Sequence, residues 1–204
     1  MSGGFDSAAL ARGLTRIAQH MEAVADELNA LDGQLGDGDL GITMVRGSRA
    51  VMSDLAELPP DLGKALMKVA QGFTKTSGSS FGTLLATGLL AAAKELKGRD
   101  QADWSEVADL LRAAFEMMRT RGKAELGDKT VLDTLDAAAT AAQGCDDPAA
   151  CLNAMRTAVA ETMEKMRQEP AKIGRARIFG DKSIGLDDPG MLAFRRILDG
   201  LATG

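Results

Sequence analysis

The segment LDGQLGDGDLG, residues 31–41, holds three aspartates, Asp32, Asp37 and Asp39, within eight positions. Like charges at that spacing repel, so the turn calls for a counter-charge. The segment offers oxygen donors only, with no His or Cys nearby. Such a donor set suits a hard cation, Mg²⁺ or Ca²⁺, over zinc. Gly33, Gly36, Gly38 and Gly41 let the backbone fold tightly enough for the carboxylates to converge. The segment is not an EF-hand, because the acidic, glycine and glutamate positions of that loop are not supplied. The competing reading is a solvated acidic turn in which Asp39 caps the following helix.

Three further stretches carry groups of the complementary kind. Ser77-Gly78-Ser79-Ser80 stands before an apolar-periodic run. A helix opening there offers free N–H groups to an anion, or else a serine simply caps it. Gly127-Asp128-Lys129-Thr130 precedes another such run, with Asp128 as a candidate N-cap. Arg175, Arg177 and Lys182 sit in IGRARIFGDKSIGLDDPG. An arginine there can hold a phosphate with two parallel bonds, or make a surface ion pair. Asp187-Asp188-Pro189-Gly190 ends that stretch as a rigid turn. No Walker A motif occurs, and no Rossmann fingerprint stands in a strand–helix context.

Those residues need elements to hold them, and composition says which. Hydrophobic residues are 45% of the 204-residue chain but aromatics only 3%, with one tryptophan and no tyrosine. Ala, Leu and Met must then fill the core, which favours helices. Apolar residues at Leu10, Leu14, Ile17, Met21, Val24, Leu28 and Leu31 predict a first helix over 5–31, capped by Asp6 or Ser7. Similar patterns predict helices over 41–58, 61–76, 81–98, 104–121, 131–143, 147–170 and 191–202. No strand pattern stands out, and no linker or repeat divides residues 1–204 into two domains.

The map has a consequence. In an up-and-down bundle, alternate junctions lie at the same end. The four chemically rich stretches follow helices one, three, five and seven, so they should meet at one rim. The other junctions, ELPPD, KGRDQAD and QGCDDP, read as ordinary turns. A rim with carboxylates for divalent cations and N–H groups and arginine for phosphates suits a metal–nucleotide complex.

The net charge of −5 argues against a phosphate-backbone interface with nucleic acid. No apolar run approaches a membrane span, and the N-terminus lacks the pattern of a signal peptide, so a cytoplasmic location is expected. Cys145 and Cys151 read as two free thiols, since the only histidine, His20, is far away in sequence.

LDGQLGDGDLG, TSGSSFGT, RGKAELGDKTVLD and GRARIFGDKSIGLDDPG resemble, in order, motifs of the nucleotide-binding L subunit of dihydroxyacetone kinase. The same domain forms the C-terminal part of single-chain ATP-dependent dihydroxyacetone kinases. The resemblance spans nearly the whole chain. It implies an all-α, eight-helix up-down barrel with ADP or ATP at one rim. Asp32, Asp37 and Asp39 match ligands to two Mg²⁺ ions. Leu40, Gly41, Ile42, Thr43, Thr76, Ser77, Gly122, Val131, Asp188, Pro189 and Gly190 match nucleotide-contacting positions. Arg175 matches a nucleotide contact and would add catalytic charge near the phosphates.

The sequence departs from the family pattern at Leu40 and Leu186, where histidines are usual, at Thr43, usually Asn, and in TKTSGSS, which replaces a typical GGASGP. The implied activity is phosphoryl transfer to dihydroxyacetone or a related keto-sugar held on a separate K-type subunit. The implied partners are that subunit and, in phosphoenolpyruvate-dependent systems, a phosphohistidine donor protein, within a homodimer or hetero-oligomer. Two other readings are a domain of a fatty-acid kinase and a nucleotide-binding regulatory partner that transfers no phosphate.

Overall fold

A computed structural model describes residues 3–76 and 78–203. Eight α-helices account for most of them: α1 (Ser7–Leu35), α2 (Leu40–Ser53), α3 (Leu62–Thr76), α4 (Ser80–Glu95), α5 (Val107–Gly122), α6 (Val131–Ala141), α7 (Pro148–Met166) and α8 (Pro189–Ala202). Short 3₁₀ turns cover Leu55–Glu57, Trp104–Glu106 and Ala176–Ser183.

Local chemistry starts most of these helices. Asp6, Ser79, Asp147 and Asp188 each accept a backbone N–H of the first helical turn. Pro148 and Pro189 follow two of those caps, where a missing N–H costs nothing. Thr130 and Asp133 form a reciprocal capping box at the start of α6.

Each helix packs against the next, and α8 returns to α1, closing a ring; α6 also touches α8. The ring interior is the main core, built on Met21, Met44, Val69, Leu135, Val159 and Met191, with Phe73, Phe115 and Phe194 as its buried aromatics. With so few large side chains, close helix approach depends on glycine. The Phe73 ring lies where a Cβ on Gly47 would stand, and a Cβ on Gly63 would sit 2.6 Å from the Ala93 carbonyl oxygen.

One end of the ring is stapled. The amide of Leu62 donates to the Arg99 carbonyl at 2.7 Å, and that of Gly98 to Asp61 Oδ2 at 3.0 Å. These bonds join the α2–α3 and α4–α5 junctions. Two three-residue strands, β1 (Gly4–Asp6) and β2 (Gln101–Asp103), pair antiparallel there. Phe5 stacks near Trp104, with ring centroids 5.0 Å apart. Arg99 grips the Glu106 carboxylate with two bonds of 2.6 and 2.7 Å, and that pair holds the Glu106 carboxyl down to about 2. Strands this short carry no readable alternation, which is why the sequence pattern predicts none.

Helix α1 runs four residues beyond the predicted end, to Leu35, despite Gly33. Leu35 extends the stripe of Leu28 and Leu31 and packs with Ala171 and Ala176 beneath Phe179 and Leu186. Burying a leucine stabilises by about 2 kcal/mol, which exceeds the ~1 kcal/mol that an interior glycine costs. Asp32 therefore stands on the last turn of a helix, not in a loop.

Gly63→Ala places a methyl against the α4 backbone, which has no flexible end to yield. We expect a loss of about 1–3 kcal/mol of stability, read by urea denaturation; a variant as stable as the wild type contradicts the close α3–α4 approach.

Candidate functional site

Asp32, Asp37 and Asp39 converge. One carboxylate oxygen from each lies within 4.8 Å of the others. Asp32 projects from the end of α1, Asp37 lies in the short connection, and Asp39 holds the N-cap position of α2. Asp39, however, makes no capping bond. Asp32 caps in its place: its Oδ2 accepts the N–H groups of Asp39 at 3.0 Å and Leu40 at 3.3 Å. The capping role that the competing reading gave Asp39 is therefore absent. Two glycines are required. Gly38 turns the chain at φ +76, and a Cβ on Gly36 would stand 2.5 Å from Asp32 Oδ1.

The carboxylates are not equivalent. Arg175 Nη1 forms an ion pair with Asp37 Oδ2, which holds the Asp37 carboxyl below its usual range. Burial, and then the charges of Asp37 and Asp32, push Asp39 up. Arg175 is thus a counter-charge of the kind that the aspartate spacing demands. Three converging carboxylates with oxygen donors only fit a hard divalent cation.

Beside the aspartates opens a cavity of about 620 Å³. All four chemically rich junctions reach it. Gly78, Ser79 and Ser80 come from the α3–α4 junction, Gly122, Thr130 and Val131 from α5–α6. Gly174, Arg175, Asp188, Pro189 and Gly190 come from α7–α8. Phe81, Leu84, Met118 and Leu132 add apolar wall. The cavity lining therefore combines charged groups with apolar side chains, as a ligand with an anionic and an aromatic part requires.

Of the expected contacts, Leu40, Gly122, Val131, Arg175, Asp188, Pro189 and Gly190 line this cavity with the three aspartates. Gly41, Ile42, Thr43 and Thr76 do not, which corrects the expectation. Helix α2 begins at Leu40, and each later residue turns about 100° further round its axis. Gly41 is pressed against α1, where a Cβ would lie 2.0 Å from the Ala25 carbonyl oxygen. The Ile42 side chain is exposed and its N–H is held by Asn29 Oδ1 at 3.2 Å. Thr43 is buried, and its N–H closes the first helical turn on Asp39. Thr76 bonds back to the Gly72 carbonyl at 2.8 Å. Ser77 lies outside the described residues.

Both unusual leucines serve packing. Leu40 belongs to the main core while edging the cavity, and Leu186 covers the small cluster around Leu35. His20 lies mid-α1, away from the cavity lining, as expected. Cys151 is buried beside Cys145, and burial pushes its thiol up to about 11, in keeping with two unreactive thiols.

Sequence reasoning missed Arg121. It ends α5, lines the cavity, and makes no hydrogen bond or ion pair among the described residues. Its position directly before Gly122 was the available signal; it reads there as an ordinary basic residue in the last turn of a helix.

The architecture and the cavity define an all-α ring with three converging carboxylates beside a cavity at one rim. The chain belongs to the DAK2 domain family, whose model matches residues 34–203. It is 35% identical to a mouse triokinase/FMN cyclase over 99% of its length, and spans 36% of that protein. It is 30% identical to an ADP-binding subunit of a phosphoenolpyruvate-dependent dihydroxyacetone kinase of Listeria innocua, covering 91% of this chain and 88% of that subunit. The dihydroxyacetone kinase of C. freundii, solved with AMP-PNP and Mg²⁺, superposes with a TM-score of 0.77 at 26% identity, over 98% of this chain and 34% of that one.

Asp188 supplies a pH test of the site. Burial pushes its carboxyl up to about 7, against the pull of the Met191 and Gly190 amides. A carboxyl raised on folding binds its proton more tightly in the native state. Its contribution to stability therefore falls as pH rises from about 4, the unfolded value, to about 7. Asparagine keeps the cap acceptor and removes the titration. We expect Asp188→Asn to gain stability relative to wild type between pH 5 and pH 8 in urea denaturation; a difference independent of pH contradicts the assignment.

Proposed function

We propose that this chain is the nucleotide-binding part of a dihydroxyacetone-type kinase. It carries ADP or ATP with a pair of Mg²⁺ ions and donates a phosphoryl group to dihydroxyacetone or a related keto-sugar. The sugar is held on a separate K-type partner. The observation that carries this reading is the convergence of Asp32, Asp37 and Asp39 at a cavity that is also lined by apolar side chains. Similarity to an ADP-binding subunit and to a kinase solved with AMP-PNP and Mg²⁺ supports it.

When bound, the metal pair neutralises phosphate charge, which phosphoryl transfer needs more than covalent help from the protein. Asp32, Asp37 and Asp39 hold the metals. Asp32 keeps Oδ1 for this, because Oδ2 is engaged by the start of α2. Arg175, paired with Asp37, would place its guanidinium beside the phosphates. Phe81, Leu84, Met118 and Val131 shelter the base. Arg121 has an uncommitted guanidinium beside Gly122 and stacks over the base or its ribose.

The single histidine, His20, lies mid-helix and is not among the residues that line the cavity. A phosphohistidine donor protein recharges bound ADP in a phosphoenolpyruvate-dependent system, whereas nucleotide exchanges in an ATP-dependent one. No helix among the described residues is long and apolar enough to cross a membrane, which is compatible with a cytoplasmic kinase.

Calorimetry with ADP and ATP, with and without Mg²⁺, tests this first. We expect Mg²⁺-dependent binding that Asp37→Ala weakens at least roughly 100-fold, since it removes a ligand to charged metal. Arg121→Ala should weaken binding by roughly 3–10-fold, in line with about 1 kcal/mol for one stacked cation. Absence of Mg²⁺-dependent binding by the wild type rules the nucleotide reading out. If binding holds, turnover of dihydroxyacetone with a matched K-type partner tests the transfer step.

A further inference from the structure

Lys129 is the largest fully buried side chain among the described residues, with 1% of its surface exposed. Burying an ammonium is expensive unless it is fully bonded. Its backbone also sits at φ +61, a conformation that lysine rarely adopts. Two local costs thus fall on one residue, and such costs persist only where the surroundings over-determine them.

The bonds of Lys129 show what the costs achieve. Nζ donates to the Glu169 carbonyl at 2.7 Å and the Ser183 carbonyl at 2.8 Å. No carboxylate is bonded to it, although Asp188 and Asp187 lie within its field. Residues 169 and 183 bracket the segment that carries Arg175. On the other side of Lys129 in sequence, Thr130 and Val131 form cavity wall. One ammonium therefore ties both ends of the Arg175 segment to the α5–α6 wall of the cavity.

Weaker ties follow the same line. The Lys172 amide donates to the Asp128 carbonyl at 3.1 Å, and its Nζ to the Gly127 carbonyl at 2.8 Å. Ser183 Oγ accepts the Ala171 amide at 2.8 Å and donates to the Gly180 carbonyl at 2.6 Å. Arg167 anchors Asp187 with bonds of 2.9 and 3.1 Å, next to the Asp188 cap. Among the charged side chains that make these bonds, Arg167 and Asp187 are part-buried and Lys172 is exposed, and Lys129 is the most deeply buried.

We propose that Lys129 is a positioning residue: its buried ammonium clamps the Arg175 segment to the α5–α6 junction and thereby sets the nucleotide cavity. This rests on the nucleotide reading above. Lys129 touches no ligand; it acts through Arg175, Asp188 and the wall at Thr130 and Val131. Replacing a lysine with a purely structural role lowers stability and leaves the affinity of the folded protein alone.

The test uses the full chain with Lys129→Met, which keeps the length of the side chain and removes its charge, and with Lys172→Met at the exposed end of the same junction. Melting, Mg²⁺-ADP calorimetry and amide exchange over residues 170–185 are measured on both and on the wild type. The proposal expects folded Lys129→Met to bind Mg²⁺-ADP at least tenfold more weakly, with faster exchange over that segment. It expects a smaller loss, two- to fivefold, for Lys172→Met. Folded Lys129→Met with affinity within twofold and unchanged exchange overturns it. If Lys129→Met does not fold, unchanged affinity and exchange in Lys172→Met overturn it. If the wild type binds no Mg²⁺-ADP, the nucleotide reading fails separately. The clamp then stands on faster exchange in Lys129→Met and falls without it.

Discussion

Mutual repulsion among Asp32, Asp37 and Asp39 is the constraint on which the functional rim is built. Three carboxylates held within 4.8 Å cannot all remain unneutralised. The protein gives each a different answer. Asp32 turns one oxygen to the amides that open α2, so repulsion is partly converted into a helix cap. Asp37 takes the Arg175 guanidinium, which draws the α7–α8 junction across the aspartates. Asp39 is left with its carboxyl pushed up by burial and its neighbours. A divalent cation would relieve all three at once, which is the physical basis of the metal reading proposed for this rim.

The two ends of the helix ring are held by different means. The stapled end uses apolar and ionic contacts, with Phe5 against Trp104, Arg99 on Glu106 and a short strand pair. The functional rim adds side chain to backbone bonds to its ion pairs, and among them the Lys129–Ser183 and Ala171–Ser183 bonds are buried. Such bonds fix loops without filling space. The rim can therefore keep a cavity of about 620 Å³ open beside a closely packed core.

Much of this was legible in the residues. Apolar spacing predicts all eight helices, because a helix that must bury one face repeats every three or four positions whatever surrounds it. Counting helices then assigns the aspartate turn and the Arg175 loop to one end, and the cavity lining bears this out. The strand pair was not legible, since three residues cannot display alternation. Nor was the start of α2. Its first turn spends its amides on Asp32, Asn29 and Asp39, which turns Gly41, Ile42 and Thr43 away from the cavity that their sequence neighbours line.

The sequence by itself determined the helical class, the core composition and the kinds of chemistry present, because these follow from local periodicity and residue type. Tertiary structure alone decided the partners. It made Asp32 and not Asp39 the cap of α2, set Arg175 on Asp37, brought Arg121 to the cavity and sealed Lys129 between two carbonyls. Those pairings join residues up to 138 positions apart. Long-range pairings depend on how the ring closes, and no local pattern in the chain records that closure.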